Sequence, residues 1–148
     1  MSAKKLLKHL TIMLLKIGLF SSVFAFLYHI FYIADTYTGR GAVFAYKAEL
    51  LLFIFIFYFV SKILFSLGVY LTLIPTIRKH ILLRLIVFFA VPLYFLIDFS
   101  TRSKNIFMKG GVVHIFYMLV LVYYHWRFCL FLKRSNAESA HNEISSYT

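Results

Sequence analysis

Four long apolar segments constrain the fold of this chain more than any other feature. Each contains a single charged residue, and together they cover about residues 10–33, 50–74, 81–97 and 112–132. Each is close to the roughly 20 residues that an α-helix needs to cross a hydrocarbon core of about 30 Å. Because lipid offers no hydrogen-bond partners, the backbone groups of a spanning segment must pair with one another, which favours α-helices.

The composition supports the same interpretation. Hydrophobic residues make up 62% of the chain and charged residues 14%, whereas a soluble domain has about 45–50% apolar and about 25% charged residues. The sequence therefore predicts an all-α, polytopic integral membrane protein. We expect residues 1–134 to form a four-helix transmembrane bundle with short loops. The polar residues 135–148 are expected to form a disordered cytoplasmic tail.

The third segment is the shortest, and it leaves open an alternative with only three spans. Its uncharged part, residues 85–97, crosses the bilayer only if Arg84 extends to the headgroups. A three-span chain with a re-entrant third segment divides the charges between the two sides equally well. The hydrophobicity of the segment favours a full span, with a kink at Pro92.

The positive charge of the chain is typical of a protein oriented against anionic lipids. The net charge is +11, and the cations flank the apolar segments instead of forming one polar face, which argues against nucleic acid as a partner. With four spans, ten lysines and arginines fall on one side and five on the other. The positive-inside rule then places both termini in the cytoplasm, and the expected location is the bacterial inner (plasma) membrane.

Lys62 is the candidate functional residue inside the membrane. It lies about 13 positions from both ends of its segment, so a rise of about 1.5 Å per residue places it near the bilayer centre. A lysine there costs about 2.5–3.5 kcal/mol on insertion scales and should face protein or a water-filled cavity. It can pair with a partner helix, line an anion path or bind a lipid phosphate; alternatively, its long stem extends to the interface. No carboxylate is expected at the same depth, which argues against proton-coupled export.

Candidate contact residues lie at the opposite, non-cytoplasmic boundary. The loop after the first segment is the longest exposed element on that face, and the acidic residues near the membrane also fall there. A partner outside the cell would meet these groups first. The candidates are Asp35, Arg40, Lys47, Glu49 and Asp98.

Small and aromatic polar residues predict how the helices pack. Gly18, Ser22 and Ala25 follow a spacing of small residues that lets helix backbones approach closely. Three tyrosines lie deep in their segments, so their hydroxyls need partners and are expected to connect the helices. They are Tyr58, Tyr70 and Tyr94.

The sequence carries no catalytic or metal-binding motif. It lacks a glycine-rich phosphate loop, a nucleophile elbow, HExxH and CxxC. His114 and His125 are three turns apart on one helix face, and a packing or interfacial role is expected for both. Cys129, the only cysteine, is expected to be a buried, inert thiol, with palmitoylation as the alternative. The chain is therefore not expected to be an enzyme or to use a cofactor.

The overall plan resembles the membrane immunity proteins that protect bacteria from pore-forming toxins. Those proteins are similarly small and basic, with several helices, short loops and often both termini in the cytoplasm. The resemblance covers the layout of the whole chain but no residue motif, so it assigns no functional residue. It implies a non-enzymatic protein that contacts another membrane protein, a toxin or a second copy of itself. The alternatives are an accessory subunit of a larger complex and an oligomeric channel or transporter subunit with a central lysine.

Overall fold

A computed structural model describes residues 3–34, 48–102 and 111–145 of the chain. Within these ranges the backbone is helical except at Ile74 and His80. The elements are α1 (Ala3–Tyr28), which continues as a π-helical segment (His29–Ala34); α2 (Ala48–Ser66), which continues as a 3₁₀ segment (Leu67–Leu73); α3 (Pro75–Lys79); α4 (Ile81–Arg102); and α5 (Gly111–Ser145).

Four of these helices are long and apolar enough to cross a membrane, which confirms the predicted all-α, four-helix fold of a multi-pass membrane protein. The spans are Ala3–Phe31, Glu49–Leu73, Ile81–Asp98 and Gly111–Ala137. The short third segment belongs to a helix of 22 residues, with Pro92 buried inside it. The helix continues past both ends of the uncharged stretch, which gives the segment the length that its hydrophobic part alone lacks.

The spans surround a common core in the order α1, α2, α4, α5. α1 packs along α2 and α5, whereas α4 packs along α5 and the 3₁₀ segment of the second span. α2 and α5 therefore face each other across the diagonal of the bundle. α1 contributes buried residues at spacings of four and three, as an amphipathic helix does. They are Leu6, Leu10, Met13 and Ile17, and they meet Val69, Phe88, Tyr117, Leu121, Phe128 and Leu132.

The second span changes from α-helix to 3₁₀-helix after Ser66, and its buried positions explain the change. The buried side chains now recur every third residue, at Ser66, Val69 and Thr72, which is the spacing that aligns side chains in a 3₁₀-helix. The Thr72 hydroxyl donates to the Val69 carbonyl at 2.7 Å. Gly68 lies where this segment meets α4, and a Cβ there would be 2.9 Å from the Val87 carbonyl oxygen. The tighter helix thus brings the two backbones close together.

The C-terminal end of the chain differs from the prediction. The sequence predicts a disordered tail from residue 135, whereas α5 continues to Ser145. A helix that has already formed extends at little cost, because nucleation is the unfavourable step, and no glycine or proline interrupts residues 135–145. Ser135 is also buried, so the turn after the apolar segment still packs on the bundle. Residues 146–148 of the predicted tail lie outside the described part.

The outward faces of the spans are apolar, as contact with lipid requires. α2 and α4 are embedded least: 11% of the most apolar stretch of each is buried, against 44% for α1. Along α2, exposed side chains recur at spacings of four and three and form one continuous line, named here the α2 outer stripe. It consists of Phe53, Phe57, Val60 and Leu64.

Candidate functional site

Lys62, the residue singled out by the sequence, lies at the middle of the second span. From Glu49 to Lys62 the α-helix rises about 1.5 Å per residue, or about 20 Å in all. From Lys62 to Leu73 the chain makes four α-helical steps and seven 3₁₀ steps of about 2.0 Å, which also gives about 20 Å. The 3₁₀ segment therefore keeps Lys62 midway between the ends of the span, although fewer residues follow it than precede it.

The Lys62 side chain points into the bundle and is only 3% exposed. Its Nζ lies 4.6 Å from the centre of the Tyr117 ring and 5.7 Å from that of Phe65. Aromatic faces attract cations, and the attraction reaches about 2 kcal/mol where water is excluded. Among the residues that the structure describes, no carboxylate forms an ion pair with Lys62. The two rings therefore contribute to stabilising its charge.

Tyr117 connects the two diagonal helices at the level of Lys62. Its side chain is completely buried. The Tyr117 hydroxyl lies 2.6 Å from the Ser66 hydroxyl and donates a longer bond, of 3.4 Å, to the Lys62 carbonyl. A buried hydroxyl without a partner costs about 1–3 kcal/mol, so the two hydroxyls satisfy each other. Because Ser66 ends α2, this contact ties α5 to the point where the helix geometry changes.

His114 lies one turn before Tyr117 on α5 and adds to the polar centre. It is close enough to Lys62 for the two side chains to interact electrostatically. Among the described residues, no group of three or more histidine, cysteine or carboxylate side chains is placed to hold a metal ion. The centre of the bundle therefore combines positive charge with hydroxyl groups, an arrangement that attracts anions and repels cations.

Gly18 of α1 lies against Ile63 of α2, the residue that follows Lys62. Ser22 and Ala25 follow Gly18 at helical spacing. Gly18, Ser22 and Ala25 are all buried. A Cβ at Gly18 would lie 2.8 Å from Cγ1 of Ile63, so the glycine lets the two helices approach closely. The Ser22 hydroxyl donates to the Leu19 carbonyl of its own helix at 3.0 Å. Ser22 therefore packs at the interface without needing a partner on another helix.

Two of the three deep tyrosines connect helices as expected. The Tyr70 hydroxyl lies 3.0 Å from the Thr11 hydroxyl of α1. The Tyr58 hydroxyl lies 3.4 Å from Nδ1 of His29. The expectation is wrong for Tyr94, which is 65% exposed on the outer face of α4. Tyr94 is near the end of its span, where the hydroxyl of an outward tyrosine can reach the headgroup region.

The candidate external contacts fall partly outside the described residues. Asp35, Arg40 and Lys47 lie outside the described residues. Glu49 is exposed at the start of α2, and Asp98 is half-buried in the last turns of α4. Since α2 and α4 run in opposite directions, these two carboxylates lie at the same end of the bundle.

His125 and Cys129 occupy the opposite end of α5. The His125 ring contacts Phe88 of α4 edge-on, with ring centres 4.9 Å apart. The Cys129 sulfur lies 3.8 Å from Nε2 of His125, and the thiol is half-buried rather than fully enclosed. The packing role expected of His125 is therefore seen in its contact with Phe88.

Gly68 was not identified from the sequence as a packing residue. We expect Gly68→Ala to destabilise the bundle by about 1–3 kcal/mol. The new methyl group would lie 2.9 Å from a backbone oxygen of α4, which moves only if the helix moves. Gly18→Ala is the comparison variant, because its Cβ would meet a side-chain atom, Cγ1 of Ile63, which can shift by a few tenths of an ångström without displacing a helix backbone. Thermal unfolding in detergent measures both, and a larger loss for Gly18→Ala would contradict the proposed close approach.

Comparison with known proteins finds no matching family model, no similar curated protein and no similar solved structure. Fold and central site together define the class: a multi-pass membrane protein of four helices that holds one lysine between aromatic rings.

Proposed function

We propose that this chain is a non-enzymatic integral membrane protein that acts by contact with another membrane protein, as an immunity protein against a pore-forming toxin or an accessory subunit does. The observation that carries this proposal is the division between core and surface. The polar centre around Lys62 is enclosed by the helices, whereas α2 and α4 leave most of their surface apolar and uncovered. Helix association in membranes is driven by van der Waals packing and interhelical hydrogen bonds rather than by apolar character, so an uncovered helix face is available to a partner helix as well as to lipid.

A matched pair of double variants tests this proposal. Bacteria that produce the chain are expected to survive a pore-forming toxin that kills the parent strain. Phe57→Ala with Leu64→Ala, on the α2 outer stripe, should abolish the protection, because both side chains point away from the core and are 60% and 57% exposed. The control is Leu15→Ala with Leu19→Ala on α1, whose side chains are 49% and 48% exposed. It should leave protection intact.

Equal protection by both double variants would exclude the α2 outer stripe as the contact. A polar linker in place of residues 36–47 then tests the external loop, which carries the candidates Arg40 and Lys47. Loss of protection with the linker, at normal abundance in the membrane, would show that the loop and not the α2 outer stripe makes the contact. Protection against no pore-forming toxin would reject the immunity role.

We further propose that both termini lie in the cytoplasm of a bacterial inner membrane. The charge distribution supports this orientation. Reporters fused after Lys79 and Thr148 should then give a cytoplasmic signal, whereas those after Gly41 and Ser103 should give an external one. An external signal after Thr148 alone would show an odd number of crossings and reject the orientation.

An oligomeric channel or transporter subunit is the second candidate function. One observation favours it: Lys62 is buried at mid-span and, in the described part of the chain, forms no ion pair. An anion passing the centre of the bundle would meet this charge and the Tyr117 hydroxyl. Substitution of Lys62 separates the two candidates, because only the channel requires the charge.

A further inference from the structure

A cavity of about 350 Å³ opens between α3, the first turn of α4 and the last part of the fourth span. Four cationic side chains line it, and none of the described residues in its wall is acidic. The charged and amide side chains in its wall are those of Arg78, Lys79, Arg84, Lys133 and Asn136. Four positive charges around one cavity repel one another, so an anion within it would lower the free energy of the whole group.

Arg84 is half-buried in the wall of the cavity, and one of its donors is enclosed without a partner in the described part of the chain. Its Nε atom is buried and makes no hydrogen bond to the described residues. A buried donor left unpaired costs about 1–3 kcal/mol, and more when it belongs to a charged group. Arg84 also stands in the first turn of α4, where the helix dipole disfavours a cation and favours an anion. An anion in the cavity would offset the dipole penalty and neutralise the guanidinium charge.

The cavity lies where the spans end. Arg84 is the fourth residue of the third span, Ile81–Asp98, and Lys133 belongs to the last turns of the fourth, Gly111–Ala137. Arg78 and Lys79 end the short helix α3 that joins the second span to the third. The cavity therefore opens at the headgroup level, at the end of the bundle where α1 begins.

We propose that this cavity binds a phosphate group, with the headgroup of an anionic phospholipid as its expected source. The Arg84 guanidinium forms the charge-assisted hydrogen bonds, because its planar fork matches two phosphate oxygens. Lys133, together with Arg78 and Lys79, neutralises the charge, and the Asn136 amide can donate to a further oxygen. Basic pockets between transmembrane helices are known to bind such headgroups.

A second basic groove on the other side of α5 provides an internal control. It has about 130 Å³ and is lined by His9, Arg127 and Arg134. It lies at the same end of the bundle and contains two arginines against the four cations of the cavity, so a pair of charges can be removed from either region. Simple attraction to an anionic membrane would weaken equally on removal of either pair, whereas a defined phosphate site is weakened only by removal of the pair that contains Arg84.

The test is native mass spectrometry of the full chain in a neutral detergent, titrated with phosphatidic acid. The wild type should retain one lipid per chain with saturable binding, and phosphatidylcholine should bind at least about tenfold more weakly because its choline group offsets the phosphate charge. Arg84→Gln with Lys133→Gln should weaken phosphatidic acid binding by about tenfold or more. Arg127→Gln with Arg134→Gln, which removes the same charge, should change it by less than about twofold.

Equal weakening by the two double variants, or binding without saturation, would overturn the proposal. Lys133→Gln alone guards against a folding defect, since Lys133 is exposed, and it should still weaken binding by about threefold. Inorganic phosphate added at millimolar concentration distinguishes the sources. If it leaves the bound lipid in place, the ligand is the headgroup. If it displaces the lipid from the wild type, the site takes free phosphate. Binding unaffected by Lys133→Gln would reject the assigned contacts.

Discussion

Replacing Tyr117 with alanine is expected to lower the free energy of unfolding by about 3–5 kcal/mol, the range for aromatic side chains removed from packed cores. The Tyr117 ring is completely buried at the centre of the bundle. The change also removes the ring that lies 4.6 Å from the Lys62 ammonium group and the hydroxyl that pairs with Ser66. Reversible unfolding in mixed detergent micelles measures the loss.

Two controls separate the contributions of the ring and the hydroxyl. Tyr117→Phe keeps the ring over Lys62 and removes only the hydroxyl, which pairs with Ser66 and donates to the Lys62 carbonyl, so the expected loss is about 1–2 kcal/mol. Tyr123→Ala alters the same residue type on the same helix at a position that is 50% exposed, and about 0.5 kcal/mol is expected. A loss at Tyr123 as large as that at Tyr117 would contradict the central position of Tyr117.

The parts of the fold that depend on the bilayer could be predicted from the sequence. A hydrocarbon core of about 30 Å fixes the length of each span, so four apolar segments predict four helices. The depth of Lys62 followed from its position in the segment and the helical rise. Gly18 could be identified because close packing in membranes favours small residues. Each of these inferences uses only distances along one helix.

The parts that depend on contacts between helices could not be predicted. Tyr117 meets Ser66 and the Lys62 carbonyl from 51 and 55 residues away, and in a segment that is apolar on all sides no pattern shows which face turns inward. Tyr94 and Tyr117 are therefore indistinguishable in sequence, yet one faces outward and the other fills the core. A weak indication of the 3₁₀ segment is present in the sequence, because small or β-branched residues recur at every third position from Ser66 to Thr72.

The cavity around Arg84 illustrates the same distinction. Its cations were visible in the sequence as residues flanking apolar segments, which predicts orientation and interaction with anionic lipids. Their convergence on one cavity depends on α4 packing against α5, a contact that charge counting does not show. The neighbouring Arg127 is also a cation near the end of an apolar segment, but it lines the second basic groove. Only the packing separates the two groups of cations.

Replacing Lys62 with methionine is expected to leave the chain inserted and at least as abundant as the wild type. The variant avoids an insertion cost of about 2.5–3.5 kcal/mol and loses a cation–π attraction of about 2 kcal/mol, so the balance slightly favours methionine. Methionine also keeps an unbranched stem of similar length in the enclosed site. Lys4→Met, at an exposed position before the first apolar segment, is the control and should change neither insertion nor abundance.

The activity of Lys62→Met then decides between the two candidate functions. A protein that works through helix contacts should keep its full activity, because the enclosed lysine touches no partner. A channel or transporter subunit should lose activity while remaining folded, since its path would lack the one charge at the centre of the bundle. Lys62→Arg should then restore part of the transport, because it returns the charge in a different shape. Ion flux in vesicles, at equal protein content, measures both variants. Flux that depends on residue 62 in this way would reject the contact-only proposal, whereas protection that survives Lys62→Met would remove the main support for a channel.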